Sequence, residues 1–187
     1  FAAVREVGGE RLGARLARDG VPVVLVNRYP MRPGPAVART DNFAGGAAMA
    51  RHMRARGARR VAVIAGPEDA PASRDRLAGF ASVLPPLRVA HADYTAEGGA
   101  AAMRALLPER PEAVFCANDA MALGAMDAAP DGPWVTGFDG IPAGRLGRYR
   151  LTTMAQDMEA LAAAALDLLD RPGEQRLIPP RLVTESD

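Results

Sequence analysis

Short apolar runs alternate with amphipathic stretches several times along the 187 residues. Val21-Pro-Val-Val-Leu-Val26 is a continuous apolar run, the signature of a strand buried on both faces. A Pro/Gly-rich loop follows, from Pro30 to Pro35. Asp41 then stands at the N-cap position of a helix expected to run through Arg56 and to end at Gly57. The pattern predicts further strands at Arg60–Ala65, Leu87–Ala90, Ala113–Cys116 and Trp134–Phe138. It predicts helices from Ser73 to Leu84, Thr95 to Leu107 and Asp119 to Ala128. Leu151–Ala155 reads as extended, Asp157 as the cap of a helix to Leu169, and Leu177–Thr184 as a closing strand broken by Pro179-Pro180.

Such alternation implies an α/β fold with parallel sheets flanked by helices. In sheets of that kind ligands sit beyond the carboxyl ends of the strands. The rule selects the loop from Pro67 to Arg76, the pair Asn118-Asp119, and Asp139-Gly140.

Composition narrows the function without adding to the fold. The net charge is +1, too little basic excess to hold nucleic-acid phosphates. Every one of the 23 basic residues is arginine, a bias that GC-rich coding explains, so the cluster from Arg51 to Arg60 is weak evidence for DNA binding. No apolar run approaches the roughly 20 residues of a membrane span, and Phe1 to Glu10 does not read as a signal peptide. His52 and His91 have no second histidine or cysteine at metal-ligand spacing, so neither metal nor cofactor is expected. Cys116 lies in an apolar strand and reads as a core thiol. No nucleophile, base and oxyanion site assemble, and the chain is read as a non-enzyme.

Five segments together resemble the effector-binding domain of the LacI/GalR family of transcriptional regulators. They are Asp41-Asn-Phe-Ala-Gly-Gly-Ala-Ala-Met-Ala-Arg-His52, the strand Ala58 to Pro67 with the helix Ser73 to Phe80, Val114 to Ala125, Val135 to Gly140, and Leu151 to Asp157. The resemblance implies a two-lobed periplasmic-binding-protein-like fold (type I) with its first lobe incomplete here. One lobe would hold residues 1–57 and 157–172 and the other 58–152 and 176–187, with crossovers at 153–156 and 173–175. It further implies that the helix-turn-helix that reads operator DNA, and the opening strands of the first lobe, lie outside this chain.

The same resemblance makes Arg76 the principal ligand contact, whereas Arg74 reads as a solvated helix residue. A planar guanidinium with five donors suits sugar hydroxyls or a carboxylate. Asp139, at a strand end, would accept from vicinal hydroxyls, against the alternative of a simple Asp-Gly turn. Asn118 is assigned to the ligand and Asp119 to the helix cap. Tyr94 and Phe115 are candidate ring contacts, with core packing the competing reading for both and the stronger one for Phe115. Gln156 ends a crossover where it would bridge ligand and hinge, and Asp41 would cap first and touch ligand second. Leu123, then Met121, would form a homodimer contact on an unusually apolar helix, while Ala122 and Met126 pack inward.

Two functions stay open. One is a cytoplasmic, ligand-responsive repressor that senses a sugar by lobe closure. The other is a periplasmic-type sugar-binding protein of a transport system.

Overall fold

The computed structural model describes residues 15–16, 19–28 and 34–184. The stretch Phe1 to Glu10 and much of the Pro30 to Pro35 loop lie outside the described residues. Two compact units emerge. One holds the described residues up to Asp41 together with Asp157–Ile178; the other holds Asn42–Gln156 and the residues from Pro179 onward.

The larger unit is built on a six-stranded sheet. Its strands are β3 (Val61–Ala65), β4 (Val89–His91), β5 (Ala113–Cys116), β6 (Trp134–Asp139), β7 (Thr152–Ala155) and β9 (Arg181–Val183), in the order β4-β3-β5-β6-β7-β9. All pairs are parallel except β7 with β9. β3 and β5 are buried at every position, which is why they read as unbroken apolar runs.

Alternate strand residues feed two cores. Val61, Val63, Phe115 and Phe138 pack under helices α1 (Asn42–Ala55) and α2 (Pro71–Ala81) with Met49, Met53 and Phe80. Ala62, Ile64, Val114 and Val135 pack under α3 (Ala96–Leu106) and α4 (Asp119–Ala128) with Met103, Leu106, Met121 and Ala125. Thr95 caps α3, its hydroxyl accepting from Gly98 N at 2.9 Å.

The smaller unit has a three-stranded parallel sheet, β1 (Val24–Val26), β2 (Ala36–Thr40) and β8 (Gln175–Ile178), in the order β1-β2-β8. Helix α5 (Met158–Asp167) lays Leu161 and Ala164, with Leu168 just beyond it, on Ala36 and Ala38. Asp157 caps this helix as expected, its carboxylate accepting from Ala160 N at 2.8 Å.

Several boundaries differ from the sequence expectation. α1 was assigned with residues 1–57, but it packs with α2 in the larger unit, joined by the burial of Met49 and Met53. Residues 153–155 are not crossover but strand β7, laddered to β6. The closing segment is two strands in two sheets: β8 pairs with β2, Pro179 and Pro180 offer no N–H to continue that ladder, and β9 pairs with β7. Ser73 does not start its helix; Pro71 does, two residues earlier, with Ala70 at the cap position. Strand β2 was not foreseen, since Ala-Val-Ala-Arg-Thr carries little β signal.

Candidate ligand-binding site

Arg76 is buried because α1 and α2 nearly touch. A Cβ on Gly46 would lie 2.1 Å from Arg76 O, and one on Gly79 would lie 2.0 Å from Phe43 O. Only glycine permits that approach. The approach brings Asn42, the first residue of α1, against the arginine, and Asn42 Oδ1 accepts from Arg76 Nε at 2.7 Å. Arg76 Nη1 donates to Ala117 O at 2.5 Å and lies 3.1 Å from Asp139 Oδ1. The guanidinium carbon sits 3.7 Å from the centroid of the Phe138 ring, a cation–π contact that also blocks one face of the group.

Asp139 terminates β6 with φ of 119°, a backbone region that residues with a side chain rarely occupy. Gln156 follows β7 next door; its Nε2 donates to Asp139 Oδ1 at 2.7 Å and its backbone N–H to Asp139 O at 3.1 Å. Burial pushes the Asp139 carboxyl above its ordinary value, and the neighbouring Arg76 and Gln156 oppose that shift. Oδ1 therefore serves both neighbours. Among the described residues no hydrogen bond reaches Asp139 Oδ2 or Arg76 Nη2. One acceptor and one forked donor remain available side by side.

Tyr94 flanks this pair. Its backbone has φ of 69°, and its ring fills the space a side chain on Gly66 would need, 2.3 Å from the Cβ position. Burial raises the phenol's pKa, opposed by the nearby Arg76 charge and by Ser73, three residues before Arg76 on α2. Tyr94 as a whole is half-buried.

The helix cap is Asn118 and not Asp119. Asn118 is the cap of α4: its Oδ1 accepts from Met121 N at 2.9 Å, and its Nδ2 donates to Tyr94 O at 3.1 Å. Asp119 is fully buried. Its Oδ2 accepts from Gly140 N at 2.7 Å and Ile141 N at 2.8 Å, and its Oδ1 from Thr153 Oγ1 at 2.6 Å. Burial raises this carboxyl to about 6 although all three bonds favour the charged form. The extended backbone of Asn118 places its own side chain, not its neighbour's, over the first helical N–H groups.

Phe115 is not a ligand contact. It is wholly buried and stacked on Phe80, with ring centroids 5.0 Å apart. Met121 of α4 cannot form a dimer contact either, being wholly buried, with its backbone against Gly99 of α3. The extra apolar surface of α4 goes to α3 instead, through reciprocal glycines: a Cβ on Gly124 would lie 1.8 Å from Ala96 O, and one on Gly99 2.2 Å from Met121 O. Ala122 is buried, and Leu123 and Met126 are half-buried at the margin of that core. Asp41 belongs to the smaller unit, where its N–H donates to Ile178 O at 2.8 Å. Sequence reading missed Asn42, Ser73 and Phe138. Asn42 was overshadowed by the adjacent cap candidate, and Phe138 looked like any core aromatic.

A family model described as a periplasmic binding protein domain matches residues 10–173. The chain belongs to that family. The HTH-type transcriptional repressor CytR of Escherichia coli (strain K12) is 32% identical over 182 residues, which is 84% of this chain and 53% of that protein. A LacI transcriptional regulator from a Rhodococcus species superposes with a TM-score of 0.86 at 31% identity, over 97% of this chain and 74% of that one. A LacI family regulator from Enterococcus faecium with bound ribose superposes with a TM-score of 0.80 at 25% identity, over 90% of this chain and 71% of that one. What the chain covers corresponds to the effector-binding domain of LacI-family regulators. It spans about half the length of the curated relatives it matches. Among the described residues no helix is long and apolar enough to cross a membrane.

Proposed function

We propose that this chain binds a sugar as the effector-sensing part of a cytoplasmic transcription repressor, and that it catalyses no reaction. The observation that carries the reading is the Arg76–Asp139 pair, held by Asn42, Ala117 and Gln156, with Nη2 and Oδ2 unengaged among the described residues. Sugar hydroxyls both donate and accept, so adjacent hydroxyls match one carboxylate oxygen and one guanidinium edge. Tyr94 offers part of its ring to the apolar face of such a ligand. Asn118 retains one amide hydrogen for the same purpose, beside its bond to Tyr94 O. The ribose in the Enterococcus faecium structure supports a sugar, and the relatives' character as repressors favours regulation over transport.

Operator binding would reside in polypeptide outside this chain, as a dimer with Leu123 at the contact. Coupling requires that the ligand prefer one arrangement of the whole protein over another. A thermal-shift series over ribose, other pentoses, hexoses and purine nucleosides tests the ligand class, because binding raises the melting temperature by mass action. A concentration-dependent rise with a sugar, abolished by Arg76→Met, is the expected result. A rise with purines alone would replace the sugar reading, and no rise with either would remove the sensing role.

A further inference from the structure

We propose that Asp119 is the positioning residue for the ligand site: it holds the turn after β6, and through that turn the strained Asp139 carboxylate, in the geometry that meets ligand. The inference rests on the reading of Arg76 and Asp139 given above. Asp119 sits at the start of α4, on the face of the sheet opposite Arg76, and touches neither the arginine nor the Asp139 side chain directly.

Its contacts tie together three elements. Oδ2 receives the N–H groups of Gly140 and Ile141, the two residues immediately after Asp139, and Oδ1 receives the Thr153 hydroxyl from β7. Asp139 and Gly140 have φ of 119° and 76°, so this turn persists only if neighbouring contacts over-determine it. The sheet is cut away for the carboxylate: a Cβ on Gly137 would lie 2.2 Å from Asp119 Oδ1. A helix cap would need none of these features, and Asn118 already supplies the cap. Asp119 also has no open surface on which to meet a ligand itself. An asparagine can keep the whole set, its Oδ1 accepting both backbone N–H groups and its Nδ2 donating to the Thr153 hydroxyl. An alanine keeps none, and leaves two buried N–H groups without an acceptor.

The test uses the intact protein and two readouts. Hydrogen–deuterium exchange across residues 140–144, without ligand, reports the turn, and titration calorimetry with ribose reports the site. Asp119→Ala is expected to speed exchange at Gly140 and Ile141 at least tenfold and to weaken ribose binding at least tenfold. Asp119→Asn restores both to within about threefold of the parent, a rescue that a charge requirement would not show. Should Asp119→Ala fail to fold, Gly137→Ala displaces the carboxylate without removing it and is expected to speed exchange in the same two residues. Unchanged exchange there in the folded variants overturns the proposal, as does an asparagine variant that binds ribose as poorly as the alanine one. If the parent protein binds no sugar, the ligand reading falls, while the exchange measurement still decides whether Asp119 holds the turn.

Discussion

The two helix pairs of the larger unit are built alike and used differently. α1 with α2, and α3 with α4, each close on one another through two glycines set against backbone of the partner helix. On the first face the close approach buries a charge: Arg76 is enclosed by Asn42, Ala117 O, Asp139 and the Phe138 ring. On the second it buries methionines and alanines, with one carboxylate, Asp119, at the end nearest the turn. Helix packing of the same geometry thus serves a polar site in one place and its support in the other. Chemistry depends on what the glycines let in, since a buried ion must be paired and hydrogen-bonded while an apolar contact need only fill space.

The comparison can be broken most severely at Phe115. Phe115→Ala should lower stability by about 3–5 kcal/mol, as loss of a buried aromatic does. Ribose affinity measured well below the melting temperature should hardly change, confirming a core role. Next come the glycines. Gly79→Val and Gly124→Val each force a helix pair apart and should cost about 1–3 kcal/mol, read as a fall in melting temperature. Only Gly79→Val should also abolish the sugar-induced rise, because it moves α2 and Arg76.

Asp119 gives a pH signature. Its carboxyl is raised in the folded state to about 6, mainly by burial and further by nearby Asp139. The stability it contributes is therefore complete below its unfolded pKa and lost as pH rises through about 6. The loss amounts to at most about 3 kcal/mol. Denaturant titrations at pH 4 and pH 7 should show the parent losing stability relative to Asp119→Asn over that interval; parallel behaviour would mean that folding does not raise the Asp119 pKa.

A smaller effect is expected at Asp139. Asp139→Asn should weaken ribose binding roughly tenfold, about 1.4 kcal/mol, while changing the melting temperature little, since the amide can still accept from Arg76 and Gln156. The smallest effect on the fold is expected for Leu123→Arg, whose side chain can reach water from the margin of its core. Light scattering should nevertheless show monomers where the parent forms dimers. A parent protein that is monomeric at high concentration would dispose of the dimer contact.

Much of this was legible in the chain itself. Ala113–Cys116 and Asp119–Ala128 formed with the boundaries their patterns predicted, because apolar continuity and a cap are local signals. The strand-end rule led to Asp139 and to the segment from Pro67 to Arg76, whose last residues lie on α2, and the structure brings Arg76 and Asp139 into contact. Local signals failed where two neighbours compete for one role. Asn118 and Asp119 are both good caps in isolation, and only the backbone direction entering α4 decides between them. Met121 and Leu123 are both apolar, and only the close approach of α3 decides which is covered.

By itself, then, the sequence determined the alternating α/β plan, the strand ends where chemistry could gather, and the residue types able to meet a sugar. Periodicity, caps and prolines act over a few residues and need no knowledge of the rest. Only the tertiary structure decided that Asn42 orients Arg76 from 34 positions away, that Asp119 holds the turn after Asp139, and that Phe115 faces the core. Those outcomes depend on which backbones can approach within touching distance, and burial then makes every unpaired polar atom costly enough to select one arrangement.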